Sequence, residues 1–186
     1  KDFVKFIEPY SANLIQITEG NHENSVRRRH EFDILDATVR QLNKIEGNKV
    51  NYGKYTGWVR FMFEHEAGGK SHKTDLYYSH GSGGNAPVTR GVIQSARRQD
   101  MVRADIYVTG HIHTGYNLPR PVAILNKSGK ELIIEPEHIQ LGTYKQSWGG
   151  DWESQKGFSP AIIGGCVLEF YAESDKIKFK IWRIKK

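Results

Sequence analysis

Residues 104–115 read ADIYVTGHIHTG. The apolar, β-branched run over residues 104–108 predicts a buried strand, and it leads straight into Thr109-Gly110-His111-Ile112-His113. Two other stretches repeat the pattern. Leu14-Ile15-Gln16-Ile17 leads into Gly20-Asn21-His22-Glu23, and Leu76-Tyr77-Tyr78 leads into Ser79-His80-Gly81. Loops beyond the carboxyl ends of strands line the functional crevice of α/β sheets. Three such loops predict one cleft holding Asn21, His80, His111 and His113, whose amide oxygen and imidazole nitrogens suit a divalent metal. On a regular strand His-x-His sends its rings to opposite faces. Either the chain kinks at Gly110, or the two rings serve two different metals.

Working outward, residues 3–8 read as the end of a helix and 13–17 as a short buried strand. Val26, Phe32, Leu35, Val39 and Leu42 recur at helical spacing and predict one helix over residues 25–45, stopped by Gly47-Asn48. Strands are expected at 55–63 and 76–78, with a hairpin tip in HEAGGKSH, residues 65–72. A helix is expected from Pro87 to about residue 101. Strands follow at 121–126, 131–135, 161–171 and 176–184, with turns at Gly129 and Ser174-Asp175. Alternation of strand and helix gives way to consecutive strands. The expected fold class is therefore α/β, a single domain over residues 1–186 with two sheets. The strands after residue 121 form the second sheet, packed against the one that carries the histidine loops.

Composition narrows the functional classes. The 186 residues are 26% charged and 38% hydrophobic, as in a soluble globular chain with a sizeable core. No apolar run is long enough to span a bilayer, so no membrane partner is expected. The single cysteine, Cys166, forms no internal disulfide, which suits a reducing compartment such as the cytoplasm. The net charge of +6 fits an anionic partner and fits simple solubility equally.

Each histidine loop alone has a plain explanation. Gly-Asn-His-Glu is a turn with a helix cap, His80 an ordinary half-buried histidine, and His-x-His a surface feature. Together, each at a strand end, they favour metal. His30 in the helix, His65 and His72 at the hairpin tip, and His138 beside Pro136 stay structural.

In this order the motifs resemble the calcineurin-like metallophosphoesterase superfamily. Gly20-Asn21-His22-Glu23 is similar to its Gly-Asn-His-Asp/Glu motif, Ser79-His80-Gly81 to its single-histidine motif, and Gly110-His111-Ile112-His113 to its Gly-His-x-His motif. The tail, with Leu141-Gly142-Thr143-Tyr144 and Lys156-Gly157-Phe158-Ser159-Pro160, is similar to small phage and bacterial members. The resemblance implies an α/β sandwich, a hydrolase of phosphate esters, and two divalent ions (Mn, Fe, Zn or Ni, with Mn favoured). It implies Asn21, His80 and His111 as ligands of one ion, and His113 as a ligand of the other. It implies that His22 contacts the phosphate and assists the leaving group without ligating metal. Localisation would be cytoplasmic, or in the host cytoplasm for a phage-encoded chain.

The first two family motifs, Asp-x-His and Gly-Asp-x-x-Asp/Asn, should precede Gly20, and neither stands in residues 1–19. Gly150-Asp151-Trp152-Glu153 comes after the histidine motifs and has no Asp-x-His with it. The chain is expected to be the C-terminal portion of such a protein. Alone it should be impaired, and an exposed sheet edge should favour self-association.

Arg27-Arg28-Arg29 is expected at the start of a helix, where cations oppose the macrodipole. Arg28 is thereby a candidate contact for an anionic substrate, with a solvated basic face as the equal alternative. Lys176, Lys178 and Lys180 alternate with Ile177, Phe179 and Ile181, as on a strand with one wet face. A phosphodiester of nucleic acid leads the substrate classes, ahead of a phosphomonoester or phosphoprotein. A nucleic-acid-binding module without catalysis is the alternative function. A structural metal domain is disfavoured by the single cysteine.

Overall fold

The computed structural model describes residues 2–64, 71–84, 88–144, 155, 160–174 and 176–184. The expectations above that fall on His65, Pro87, residues 150–153 and 156–159, and Asp175 lie outside these residues. The chain forms two compact units, Lys1–Gly57 and Trp58–Lys186.

In the first unit, α1 (Asp2–Ile7) runs through a 3-10 turn (Glu8–Asn13) into β1 (Gln16–Thr18). Helices α2 (Asn21–His30) and α3 (Ile34–Leu42) then cross over to β2 (Asn51–Gly53), which pairs parallel with β1. The core is Val4, Val39, Leu42 and Val50, with Ile7, Leu14, Ile17 and Tyr52 packed against it. Burying each such side chain contributes about 1.5–3 kcal/mol. Asn43 closes the crossover: its amide donates to the Val50 carbonyl and accepts from the Val50 N–H, both at 2.8 Å, as a paired strand would.

The single helix expected over residues 25–45 is two. Glu31 takes the left-handed conformation at φ 53°, ending α2. The Asp33 carboxylate then caps α3, accepting from Leu35 N at 3.1 Å and Asp36 N at 3.0 Å. The arginines therefore occupy the last turn of α2, where the macrodipole favours cations. The electrostatic penalty expected from a position at a helix start does not exist.

The second unit holds β3 (Thr56–Phe63, entering from the first unit), β4 (His72–Ser79), α4 (Val92–Met101), β5 (Ile106–Thr109), β6 (Tyr116–Pro119), β7 (Val122–Leu125), β8 (Glu131–Ile134), β9 (Glu137–Gln140), β10 (Cys166–Glu173) and β11 (Lys176–Arg183). Five of these make one sheet in the order β3-β4-β5-β9-β6. β4, β5 and β9 run parallel, and β6 runs antiparallel to β9.

The two faces of this sheet differ, as period-2 alternation requires. Leu76, Ile106 and Ile139 face the β10–β11 hairpin and pack with Phe61, Val108, Leu168, Phe170, Phe179 and Ile181. The opposite face is polar and meets α4. Ser95 Oγ lies 2.9 Å from the Tyr116 hydroxyl, and Arg98 Nη1 donates to Thr109 Oγ1 at 3.3 Å. His138, 1% exposed, stacks on Tyr107 with ring centroids 4.3 Å apart.

The fold is thus mixed α/β, and a second layer of strands packs on the sheet that carries His80 and His111. That layer differs from the expectation. β9, after residue 121, joins the first sheet beside β5, and β7–β8 is a separate hairpin, so the packed layer is β10–β11. No helix among the described residues is long and apolar enough to cross a membrane.

Candidate metal site

Register brings two of the predicted ligands together. β4 and β5 pair parallel with Ser79 opposite Thr109, so the next residues leave the sheet side by side. His80 Nε2 and His111 Nδ1 lie 3.2 Å apart, and the rings meet edge-on at 68°. Glycine allows the approach. Gly81 sits at φ 95°, and a Cβ there would lie 3.1 Å from the Gly110 carbonyl oxygen and 3.3 Å from the His111 Cβ.

The kink considered at Gly110 falls one residue later. The Ile112 N–H donates to the Gly110 carbonyl at 2.9 Å, closing a three-residue turn around His111, whose φ is 72°. A γ-turn of this hand is rare and strained. His113 follows at φ 57°, and the Thr114 hydroxyl donates to the Ile112 carbonyl at 3.1 Å. Two non-glycine residues in the left-handed region cost roughly 1–3 kcal/mol each and persist only when the surroundings impose them. Here they are imposed. Ile112, 8% exposed, is pinned beneath Gly91, where a Cβ would stand 2.0 Å from Ile112 Cδ1.

Gln140 holds the same loop from β9. Its Oε1 accepts from Thr109 Oγ1 at 2.9 Å, and its Nε2 donates to the carbonyls of Thr109, at 3.1 Å, and Gly110. Arg98 reaches Thr109 from α4 and is half-desolvated there, which lowers its pKa. Sequence reading missed Gln140 and Arg98, and took Gly81 only as part of the Ser79-His80-Gly81 motif. Only Gly81 carried a signal, as the residue after a histidine in a turn.

Asn21, His22 and Arg28 belong to the first unit. Asn21 and His22 open α2, both exposed, after the Gly20 N–H donates to Glu23 Oε2 at 3.1 Å. Glu19, 4% exposed, pairs with Arg27 Nη2 at 3.0 Å. One arginine of the triplet is therefore spent neutralising a buried carboxylate. Arg28 and Arg29 are exposed and line a cavity with Asn21, Asn24, Ser25 and Tyr55.

Two imidazole nitrogens on one ion at about 2.1 Å would stand roughly 3.0–3.4 Å apart, for right-angle to tetrahedral coordination. The His80–His111 separation fits that range. It equally fits an N–H···N hydrogen bond between neutral rings. Among the described residues no group of three or more His, Cys, Asp and Glu side chains gathers around a common point. The second unit thus offers a two-imidazole site for a single ion, and the donor set does not fit the two-ion centre that the motifs imply. His138 stands apart from it, with neither ring nitrogen hydrogen-bonded.

No family model and no curated protein matches this chain. Among solved structures, the chain is similar to wild-type Vps29 of Entamoeba histolytica in complex with zinc, at 10% identity and a TM-score of 0.34. The alignment covers 96% of this chain and 87% of that one. At that score the likeness decides nothing about chemistry.

Proposed function

We propose that this chain carries the histidine motifs of a metal-dependent phosphoesterase that hydrolyses a phosphodiester or phosphomonoester, with nucleic acid the leading substrate. The observation that supports it most is the His80–His111 pair, at the adjacent carboxyl ends of two parallel strands and within the separation of two ligands on one ion. Stored strain at His111 and His113 supports it too, since such strain concentrates at functional sites. His80 and His111 are the proposed ligands of one ion. Asn21 as its third donor, and His113 as a ligand of another, rest on the motif resemblance alone. Bound divalent metal, with manganese favoured, supplies an acidified water and charge neutralisation at the phosphate. His22 is the proposed proton donor to the departing alkoxide, and Arg28 the proposed contact to the substrate anion.

Turnover by these 186 residues alone should be poor, because they contain no Asp-x-His and, among the described residues, no group of three or more metal-ligating side chains. Arg28 and Arg29, unpaired among the described residues, also favour a second reading, a nucleic-acid-binding module without catalysis. The two readings separate in a manganese-dependent assay on a generic phosphodiester. The chain is compared with a longer protein that carries the two acidic motifs upstream. The phosphoesterase reading expects weak or no turnover here and strong turnover in the longer protein, abolished by His22→Ala with metal retained. Equal turnover in both would show that the acidic ligands come from elsewhere in this chain, and no turnover in either would leave the binding module.

A further inference from the structure

We infer that the cavity along α2 is a groove for single-stranded nucleic acid, in which Arg28 and Arg29 contact phosphates and Tyr55 is the platform for an unstacked base. The inference deepens the phosphodiester reading, on which it rests for the chemistry of the bound strand, and its residues all belong to the first unit.

The cavity measures about 590 Å³ and is lined by Asn21, Asn24, Ser25, Arg28, Arg29 and Tyr55. Asn21, Asn24, Ser25 and Arg28 recur at three- and four-residue intervals, so they form one stripe of the helix. Among the described residues no acidic side chain lines the cavity. Two neighbouring carboxylates are already engaged: Glu19 holds Arg27, and Glu23 accepts from the Gly20 N–H. Neither Arg28 nor Arg29 pairs with a carboxylate among the described residues. Two guanidiniums without a counter-anion, beside two amides and a hydroxyl, match the donors that hold phosphate and sugar oxygens.

Tyr55 decides between strand forms. It is half-buried and lines the cavity. An aromatic face at a phosphate-binding groove suits a base free to stack on it, which a single strand presents and a duplex does not.

The test is fluorescence anisotropy of a labelled oligothymidylate with the 186-residue chain, in chelator, across a series of salt concentrations. Without metal, binding is read independently of hydrolysis. The expected affinity falls linearly with log salt. Arg28→Ala and Arg29→Ala each weaken binding and reduce the slope by about 0.7. Tyr55→Leu weakens binding with the slope unchanged, while Tyr55→Phe binds as the parent does. A duplex of equal length binds more weakly than the single strand. Unchanged binding in Arg29→Ala and Tyr55→Leu, a duplex preference, or no binding at all would each overturn the inference. Binding with no turnover in the longer protein would overturn the catalytic reading and leave the groove standing.

Discussion

His138 shows what a buried titratable residue does to stability. Its ring is 1% exposed, neither nitrogen is hydrogen-bonded, and burial, with Arg120 and Arg98 adding to it, pushes its pKa down to about 4. Between that value and the ordinary 6.5 the unfolded chain binds a proton that the folded chain refuses. Stability from this residue is therefore complete above pH 6.5 and is lost as pH falls toward 4. The expected loss is on the order of 3 kcal/mol. Chemical denaturation at pH 7 and pH 4.5 measures it, and His138→Gln should flatten the dependence by about one proton. An unchanged slope would mean that the ring is protonated in place. At Arg27 the logic is that of an ion pair with one buried partner. Arg27→Ala leaves the Glu19 carboxylate buried without its cation and should cost roughly 2–3 kcal/mol in the same measurement. His138 was legible as structural because nothing around it in the sequence resembled a motif. The Arg27–Glu19 pair was not, because three identical arginines in a row do not show which one turns inward.

At the scale of elements, the strands that carry the motifs were legible because their apolar runs are continuous and end in a turn with histidine. The register of β4 against β5 brings the two loops side by side, and the turn around His111 with the glycine at 81 then sets His80 beside His111. β2, β6 and β9 were not legible. β2 is Asn-Tyr-Gly, β6 ends in proline, and β9 buries His138 and Gln140 on the polar face of its sheet, so none has the apolar alternation that marks a strand. The break between α2 and α3 was missed because the helical spacing continues across it, while the Asp33 cap that restarts the helix interrupts only the local pattern. Two substitutions test these elements. Asn43→Ala removes both partners of the Val50 backbone, which is 3% exposed, and should destabilise the chain by about 2–3 kcal/mol in denaturant melts. Gly81→Ala demands φ 95° of an alanine and crowds the Gly110 carbonyl. It should cost about 1–2 kcal/mol and separate the two rings, which histidine NMR shifts would report.

Over the whole molecule, an α/β chain with consecutive strands in its last third was legible from the change of period, whereas the assignment of those strands to sheets was not. β9 returns to the first sheet because its buried face completes the polar layer of Thr109 and Gln140, a match of hydrogen-bonding groups that composition does not reveal. The first unit leaves Phe3, Phe6, Tyr10 and Ile15 exposed, and its sheet has only two strands, β1 and β2, among the described residues. Such an edge invites pairing with another chain. Sedimentation should show concentration-dependent self-association that Ile15→Lys weakens, and a monomer at all concentrations would contradict it.

The proposal that His80 and His111 are two ligands of one ion has a direct test, calorimetric titration of the 186-residue chain with manganese and with zinc, beside His80→Ala, His111→Ala and His138→Gln. Weak binding of a single ion is expected, lost in the first two variants and retained in the third. Binding that survives loss of either His80 or His111 would contradict it, as would failure of the parent chain to bind either metal.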